Sequence, residues 1–342
     1  MTIEIDDLEV IVTERAKIIV TQKVPAPAYP MLEAVGDVEA NMEEGRIWSG
    51  EELLARSPGH DYIYSLLTDT IDTSLLEACA ARTPRLKLVA NMAVGYDNID
   101  VAAATRLGIA VTNTPGVLSD TTADLAFGLL IATARRISEA ERYVRAGKFT
   151  GWGPLLFCSA EVHHATLGLV GAGRIGKILA KRASGFEMKV LYYNRHRLSS
   201  EEETLYGLSY ASMDEVLQQA DFVSIHTPYS NETHHLIGTR ELALMKPSAI
   251  LINTARGPIV DEKALVQALQ ARGIAGAGLD VFEREPDIEP GLLAMENVVL
   301  LPHIASASLN TRTRMATMAS ENIVAHAHGQ RPPNILNPEV LK

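Results

Sequence analysis

The stretch Thr166-Leu-Gly-Leu-Val-Gly171-Ala-Gly173-Arg-Ile-Gly176 is the strongest indication of the fold class in this sequence. An apolar run leads into the spacing G-x-G-x-x-G, and residues of helical character follow. In such a strand–turn–helix unit the first glycine permits a tight turn, the second lets a ligand approach the backbone, and the third lets the helix pack on the sheet. The start of the helix adds amide donors and a positive dipole, which suit a pyrophosphate. A merely tight structural turn is the alternative, and this context favours dinucleotide binding over it.

Two series of βα units are indicated by the rest of the chain. Apolar, β-branched runs alternate with amphipathic stretches almost from end to end, which is typical of parallel sheets. A long helix predicted from Ser119 to about Ala146 and a Gly-rich loop at 147–154 separate the series. The chain of 342 residues also exceeds the roughly 250 residues of one hydrophobic core, so we expect two domains.

Strands are predicted wherever an apolar run follows a turn signal. In the first series they are Lys17–Thr21, Asp61–Leu67, Lys87–Met92 and Ala110–Asn113. In the second series they are Thr166–Val170, Lys189–Asn194, Asp221–His226, Ala249–Asn253, Gly276–Leu279 and Val298–Leu301. A last helix at about Ser308–His328 has no strand of its own to cover, so we predict that it returns to the first domain.

Composition and charge limit the classes of function. The net charge of −11 disfavours anionic membranes and nucleic acids, because a nucleic-acid-binding protein needs a basic face. Cys79 and Cys158 are the only cysteines, too few for a disulfide framework, which indicates a reducing compartment. The acidic start MTIEIDDLEV lacks the layout of a signal peptide, and no apolar run reaches the ~20 residues of a membrane span. We therefore expect a cytoplasmic protein with no nucleic-acid or membrane partner.

The end of the strand after the glycine turn predicts which dinucleotide binds. NAD sites usually carry an aspartate or glutamate there, which accepts a hydrogen bond from the ribose 2′-hydroxyl. Here the segment is Asn194-Arg195-His196-Arg197. Two guanidiniums without a carboxylate suit a 2′-phosphate, which arginine binds through charge-assisted hydrogen bonds. A solvated basic loop is the alternative, and the missing carboxylate favours NADP(H) over it.

Three polar residues come just after apolar runs of the second series: Arg256, Glu285 and His303. Ligands of open α/β sheets bind beyond the carboxyl ends of strands, so these residues are the first candidates for chemistry. A 2-keto acid needs a cation for its carboxylate, a proton donor for its carbonyl oxygen and a hydride at the carbonyl carbon. Arg256 can clamp the carboxylate, His303 can give the proton, and Glu285 can favour the charged imidazole.

Each of these residues also has a structural interpretation when it is taken alone. Arg256 could form an ion pair, Glu285 could start a helix before Pro286, and His303 could be an interior histidine with satisfied hydrogen bonds. The three together favour the reduction of a keto acid.

Neither a metal site nor a hydrolase nucleophile is indicated. His163-His164 and His234-His235 are adjacent pairs, whose rings should point apart on a helix or a strand. No HExxH spacing is present, and no serine or cysteine lies in a G-x-S-x-G-like elbow. We expect an enzyme without a metal ion.

The chain resembles the D-isomer-specific 2-hydroxyacid dehydrogenase family, and within it the glyoxylate/hydroxypyruvate reductases. The resemblance runs nearly from end to end, and its motifs together are highly specific. They are NMAVGYDNIDV (91–101), VTNTPGVLSDTTADLAFGLLIATAR (111–135), GAGRIG (171–176), INTARGPIVDEKAL (252–265), AGLDVFEREP (277–286) and LPHIASAS (301–308).

The resemblance implies roles in substrate binding and catalysis. Arg256, Glu285 and His303 would be the family's catalytic arginine, glutamate and histidine. Backbone amides near Val94 and Gly95 would meet the substrate carboxylate. Trp152, counted with the substrate-binding residues, resembles a tryptophan that reaches the partner's active site in some reductases, although packing at a dimer interface accounts for it equally.

The resemblance also implies a set of cofactor contacts. Asp280 would hold the nicotinamide carboxamide, and Ala305 stands where a glycine is frequent in the family. The full set is Thr122, Gly171, Gly173, Arg174, Ile175, Gly176, Asn194, Arg195, Arg197, Thr227, Pro228, Thr254, Ala255, Arg256, Asp280, His303 and Ala305.

The implied architecture is α/β, with two doubly wound parallel-sheet domains and a homodimeric assembly. A Rossmann-type cofactor domain (118–304) would be inserted in a flavodoxin-like substrate domain (1–117 and 305–342). The predicted function is NADP(H)-dependent reduction of small 2-keto acids, glyoxylate or hydroxypyruvate, to D-2-hydroxy acids, with NAD as the other candidate cofactor. A 2-ketogluconate reductase or another D-2-hydroxyacid dehydrogenase is the alternative within the family. An NAD(H)-sensing, peptide-binding corepressor is the alternative from another class, and the Asn194-Arg195 segment counts against it.

Overall fold

The computed structural model describes residues 15–341. They form two compact units, one made of the described residues up to 115 and from 312 onward, the other of residues 116–311. The first boundary lies near the expected one at 117/118, and the second lies beyond the expected one at 304/305. The acidic start MTIEIDDLEV, on which the expectation of a cytoplasmic protein partly rests, lies outside the described residues.

The first unit contains a five-stranded parallel sheet in the order β2-β1-β3-β4-β5. This is the order of flavodoxin-like sheets. Because the strands are parallel, their carboxyl ends meet at one edge, where the loops that follow β3, β4 and β5 emerge. The strands are β1 (Ala16–Val20), β2 (Gly36–Ala40), β3 (Tyr62–Ser65), β4 (Leu88–Asn91) and β5 (Ala110–Thr112), and the helices between them are α1 (Ala28–Glu33), α2 (Gly50–Arg56), α3 (Thr73–Ala80) and α4 (Val101–Arg106).

The second unit contains a seven-stranded parallel sheet in the order β12-β11-β10-β9-β6-β7-β8. The order reverses at β6, which pairs with β7 on one side and with β9 on the other. Such a switch point opens the crevice in which ligands of doubly wound sheets bind. The strands are β6 (Thr166–Val170), β7 (Lys189–Tyr193), β8 (Leu208–Tyr210), β9 (Phe222–Ile225), β10 (Ile250–Asn253), β11 (Gly276–Leu279) and β12 (Val298–Leu300).

Helices connect these strands, and the predicted fold class of two doubly wound parallel sheets is confirmed. A 3-10 helix at Gly257–Ile259 follows β10. The helices are α5 (Ser119–Ala134), α6 (Ile137–Arg145), α7 (Arg174–Ser184), α8 (Ser200–Tyr206), α9 (Met213–Gln219), α10 (Thr239–Leu244), α11 (Glu262–Gln270) and α12 (Pro290–Leu293).

The last helix, α13 (Leu309–Ala327), contacts the sheet of the first unit. The Tyr64 hydroxyl donates to the carbonyl oxygen of Ala316 at 3.0 Å, and the Ser320 hydroxyl donates to that of Ala28 at 3.3 Å. A short 3-10 helix at Pro338–Val340 follows it. None of the helices in the described part of the chain has the length and apolar character needed to cross a membrane.

Three elements differ from the sequence-based expectation. β2 and β8 were not predicted, because both are edge strands of polar sequence, GDVEA and LSY, whose outer side needs no apolar partner. The prediction of one long helix from Ser119 to Ala146 was wrong. The structure has two helices there, α5 and α6, separated at Arg136, which has a left-handed φ of 53°. No glycine or proline marks this break in the sequence.

Candidate active site

The glycine turn lies at the switch point of the second sheet, between β6 and α7. Gly171 has a φ of +99°, and a Cβ there would lie 2.8 Å from the carbonyl carbon of His226. A Cβ on Gly176 would lie 2.4 Å from the carbonyl oxygen of Gly171. Only glycine fits these two positions, so packing within the protein explains the first and third glycines of the motif.

The middle glycine has a different explanation. Gly173 has φ −78° and ψ −155°, which other residues also adopt. A Cβ on it would meet no described atom within 4 Å. The position is exposed and directly precedes Arg174 and Ile175, the first residues of α7. Gly173 therefore keeps open the space in front of the first helix amides, which is what the phosphates of a dinucleotide require.

A second observation also fits a bound dinucleotide. The hydroxyl of Thr254, directly after β10, is buried, and within the described chain nothing forms a hydrogen bond with it. Leaving a buried hydroxyl without a partner is costly, so such a group suits contact with a ligand. Of the other expected cofactor residues, Thr227 and Pro228 come after β9, Ala255 comes after Thr254, and Thr122 is buried on α5.

The polar residues of the segment after β7, Asn194 to Arg197, make different contacts. Asn194 Oδ1 accepts a hydrogen bond from the Ala172 amide at 2.6 Å, which ties the segment to the glycine turn. Arg197 forms a two-pronged ion pair with Glu203, with Nε and Nη2 each 2.8 Å from a carboxylate oxygen. This pair, together with a hydrogen bond from the Tyr192 hydroxyl, lowers the pKa of Glu203 to about 2. Arg197 is thus already engaged, whereas Arg195 is exposed and lies outside this pair.

His303 and Glu285 are paired in the structure. His303 Nδ1 and Glu285 Oε2 lie 2.9 Å apart, and the other oxygen of Glu285 accepts from the Phe282 amide at 3.0 Å. Burial alone would raise the pKa of Glu285. The hydrogen bond and charge of His303, the Phe282 amide and the charge of Arg256 together lower it below the ordinary value of 4.5. His303 Nε2 forms no hydrogen bond with any residue that the structure describes. Glu285 therefore orients the ring through one nitrogen and leaves the other for a ligand.

The backbone around His303 is held by Asp280. His303 has a left-handed φ of 55°, which is uncommon for a residue other than glycine. The two carboxylate oxygens of Asp280 accept from the amides of Ile304 and Ala305, both at 2.8 Å. Asp280 is fully buried, so its observed role is to position the His303 turn. The nicotinamide contact expected for Asp280 stays an untested prediction.

Arg256 lies in a tight loop after β10. The Asn253 side chain accepts from the Ala255 amide at 3.0 Å and donates to the Arg256 carbonyl oxygen at 2.9 Å. A Cβ on Gly257 would lie 1.8 Å from the carbonyl carbon of Phe282. The Arg256 loop thus packs directly on the segment that leads to Glu285, and the charge of Arg256 is one of the influences on the Glu285 pKa. Arg256, Glu285 and His303 are brought to one end of the second sheet.

The remaining predicted substrate contacts belong to other parts of the molecule. Val94 and Gly95 lie in the first unit, in the loop after β4. Their amides donate to no residue among those described. Trp152 lies in the second unit and is 85% exposed.

These observations agree with comparisons to known proteins. Residues 127–305 match the family described as "D-isomer specific 2-hydroxyacid dehydrogenase, NAD binding domain". A glyoxylate reductase from Korarchaeum cryptofilum is 49% identical over 331 residues, covering 96% of this chain and 98% of the relative. The chain belongs to the D-isomer-specific 2-hydroxyacid dehydrogenase family. The predicted resemblance is confirmed, and this 2-hydroxyacid dehydrogenase is an oxidoreductase with a nicotinamide cofactor.

Other members of the 2-hydroxyacid dehydrogenase family give the same result. A glyoxylate reductase from Thermococcus litoralis is 47% identical, covering 96% of this chain and 98% of the relative. An NADPH-dependent glyoxylate/hydroxypyruvate reductase from Sinorhizobium meliloti, solved in complex with NADP and malonate, is 33% identical with a TM-score of 0.83. It covers 94% of this chain and 97% of that one.

Two features of this 2-hydroxyacid dehydrogenase escaped the sequence reasoning. The expectation that the rings of adjacent histidines point apart was wrong, since the His234 and His235 rings stack at 4.0 Å and the His163 and His164 rings meet edge to face at 5.0 Å. His164 and His235 both have positive φ, so neither pair follows a regular helix or strand. In residues 15–341, no group of three or more His, Cys, Asp or Glu side chains could hold a metal ion.

The second missed feature is the set of polar residues that orient the functional ones. Glu203 binds Arg197, while Asn91 and Asn113 hold the loop of Val94 and Gly95. Asn91 ends β4 and Asn113 follows β5. The rule that selected Arg256 and His303, a polar residue where an apolar strand ends, also selects these two asparagines.

Proposed function

We propose that this 2-hydroxyacid dehydrogenase uses NADP(H) to reduce glyoxylate to glycolate and hydroxypyruvate to the corresponding D-2-hydroxy acid. The observation that carries the proposal is the 2.9 Å contact between His303 Nδ1 and Glu285 Oε2, at the same end of the sheet as Arg256 and the glycine turn. An imidazole fixed by a carboxylate is a proton donor, and a neighbouring guanidinium suits a keto-acid carboxylate. The names of the relatives, glyoxylate reductases among them, agree with this substrate class.

The proposed mechanism divides the reaction among three side chains. When bound, the reduced nicotinamide supplies a hydride for the carbonyl carbon. Arg256 binds the substrate carboxylate and draws electron density toward the carbonyl oxygen. His303 donates the proton on Nε2 to that oxygen, and the ionised Glu285 at Nδ1 stabilises the charged imidazole before the transfer. We also assign contact with the substrate carboxylate to amides of the loop after β4 that contains Val94 and Gly95.

NADP(H) is proposed as the preferred cofactor because of Arg195. No carboxylate occurs in the segment Asn194-Arg195-His196-Arg197 to accept from a ribose 2′-hydroxyl, and an exposed guanidinium suits a 2′-phosphate. The Sinorhizobium relative is named as NADPH-dependent. Since Arg197 is paired with Glu203, we assign the 2′-phosphate chiefly to Arg195.

We also propose a cytoplasmic homodimer. Large apolar side chains are exposed close together in the segment after α6, with Trp152 at 85%, Leu155 at 84% and Phe149 at 54%. Exposed apolar groups of this kind are typical of an interface between subunits. The two free cysteines suit a reducing compartment. Light scattering should give twice the mass of one chain, and a monomer at micromolar concentration would contradict the dimer.

The proposed function is tested by initial rates of NADPH and NADH oxidation with glyoxylate, hydroxypyruvate, pyruvate, phenylpyruvate and 2-ketogluconate. Rapid turnover of glyoxylate or hydroxypyruvate with a marked NADPH preference is expected. If 2-ketogluconate is turned over faster than glyoxylate and hydroxypyruvate, the protein is a 2-ketogluconate reductase instead. Cofactor binding without reduction of any acid would contradict an enzymatic role and favour a sensor.

The pH dependence of reduction should reveal the role of Glu285. In the fold Glu285 stays ionised below its ordinary pKa of 4.5, so it supports the charged imidazole throughout the neutral range. Glu285→Gln removes the negative charge that lies 2.9 Å from His303 Nδ1. The alkaline limb of the kcat/KM profile for reduction should therefore move to lower pH by about one unit.

Glu283→Gln is a matched control for this measurement. Glu283 also pairs with a histidine, since its Oε1 lies 3.1 Å from His235 Nε2, and it is two residues from Glu285. The alkaline limb of the kcat/KM profile of Glu283→Gln should coincide with that of the wild type. A limb that stays in place in Glu285→Gln, or that moves equally in both variants, would contradict the role of Glu285.

A further inference from the structure

Three consecutive carbonyl groups in the loop after β4 are held by donors from the first unit. Ala93 O accepts from the Thr114 amide at 2.8 Å. Val94 O accepts from Asn113 Nδ2 at 2.8 Å, and Gly95 O accepts from Asn91 Nδ2 at 3.0 Å. Asn91 and Asn113 stand at the ends of neighbouring parallel strands, β4 and β5. The sheet therefore fixes where these donors lie.

Holding a carbonyl also fixes the amide that follows it. The C=O and N–H of one trans peptide lie in a plane and point in opposite directions, and no cis peptide occurs between residues 93 and 96. Asn113 therefore sets the direction of the Gly95 N–H, and Asn91 sets that of the Tyr96 N–H. Neither amide donates to any residue in the described ranges. Both N–H groups thus point away from the asparagines and have no partner of their own.

Asn91 is itself held in place. It is fully buried and accepts from the Ser65 hydroxyl at 3.3 Å. Its Nδ2 also lies 3.3 Å from Asn98 Oδ1. Asn98 in turn donates to the carbonyl oxygens of Leu66 and Asp69, at 3.1 and 2.9 Å. This asparagine network ties the loop after β4 to the loop after β3, so the direction of the amides is set before any ligand arrives.

We propose that Asn113 and Asn91 are positioning residues that aim the amides of Gly95 and Tyr96 at the substrate carboxylate. The inference rests on the proposed function, in which that carboxylate meets this loop. The asparagines act through the carbonyl groups and do not touch the substrate. The carboxylate does not change in the reaction, so its contacts are equally strong in the ground and transition states. Misdirected amides should therefore raise the KM for keto acids and leave kcat nearly unchanged.

The test is steady-state kinetics of Asn113→Ala with glyoxylate and NADPH. The loss of one well-aimed, charge-assisted hydrogen bond predicts a KM for glyoxylate at least about tenfold higher. The kcat should stay within about twofold, and the KM for NADPH should not change. Asn91→Ala is the second variant, and it tests the positioning role if Asn113→Ala does not fold. It should show the same split between KM and kcat.

Asn337→Ala is the matched control. Asn337 is also a buried asparagine of this unit that holds a carbonyl group, that of Ile109 at 2.9 Å, but at the opposite end of β5. Asn337→Ala should lower the melting temperature, because it removes buried hydrogen bonds, but the KM for glyoxylate should stay normal. An active wild type whose asparagine variants keep a normal KM, or whose control shows the same rise, would overturn the positioning role alone. A wild type that reduces no keto acid would overturn the proposed function, and the inference with it.

Discussion

Replacing His303 by alanine is expected to lower kcat for glyoxylate reduction by at least ~10², since this is the loss typical for removal of a general acid. The ring is the group that Glu285 orients, and its Nε2 is open to a ligand. Because the proton is transferred only in the transition state, kcat and kcat/KM should fall together. The affinity for NADPH, measured by fluorescence titration, should stay close to that of the wild type.

His235→Ala is the appropriate control for this variant. His235 also has a left-handed backbone, with a φ of 51°, and also pairs with a glutamate. Its removal should leave kcat near the wild-type value. Near-normal turnover in His303→Ala, or an equal loss in both variants, would show that His303 is not the proton donor.

Replacing Arg195 by alanine is expected to raise the KM for NADPH by roughly tenfold to a hundredfold, the cost of about 1.5–3 kcal/mol for charge-assisted contacts with a phosphate. NADH has no 2′-phosphate, so its KM should change little. Arg195 is exposed at the end of the strand where this phosphate is expected. The ratio of the two KM values is thus the measurement that reports the contact.

Arg197→Ala distinguishes this role from a general effect of positive charge. Arg197 lies two residues further on and is bound to Glu203 through two contacts of 2.8 Å. We expect a smaller rise in the KM for NADPH than in Arg195→Ala. Equal effects of Arg195→Ala on NADPH and NADH, or a larger effect of Arg197→Ala, would contradict the assignment.

The sequence predicts the fold well where strands are buried and apolar. Strands such as Thr166–Val170 and Gly276–Leu279 carry a continuous apolar or small-residue signal, and the structure has them at the predicted residues. The edge strands Gly36–Ala40 and Leu208–Tyr210 lack that signal, because half of each strand faces no partner. The break at Arg136 has no signal either, since left-handed backbone at an arginine is not encoded by a turn residue.

The candidate site also contains residues that the sequence predicts and residues that only the structure reveals. Arg256, Glu285 and His303 can be found from the sequence because each follows a strand or lies in a specific motif. The residues that orient them depend on contacts between segments far apart in the chain, as when Asp280 holds Ile304 or Asn113 holds Val94. Arg197 shows the reverse case: its type suggested phosphate binding, and only the structure reveals the nearby Glu203 that pairs with it.

Hydride transfer to a keto acid is tested by reducing glyoxylate with NADPH that carries two deuterium atoms at C4 of the nicotinamide. The product is analysed by mass spectrometry. We expect glycolate with one deuterium on the carbon that bears the new hydroxyl, formed in a one-to-one ratio with oxidised cofactor. Glycolate without deuterium, or oxidation of NADPH without glycolate, would contradict hydride transfer to a keto acid.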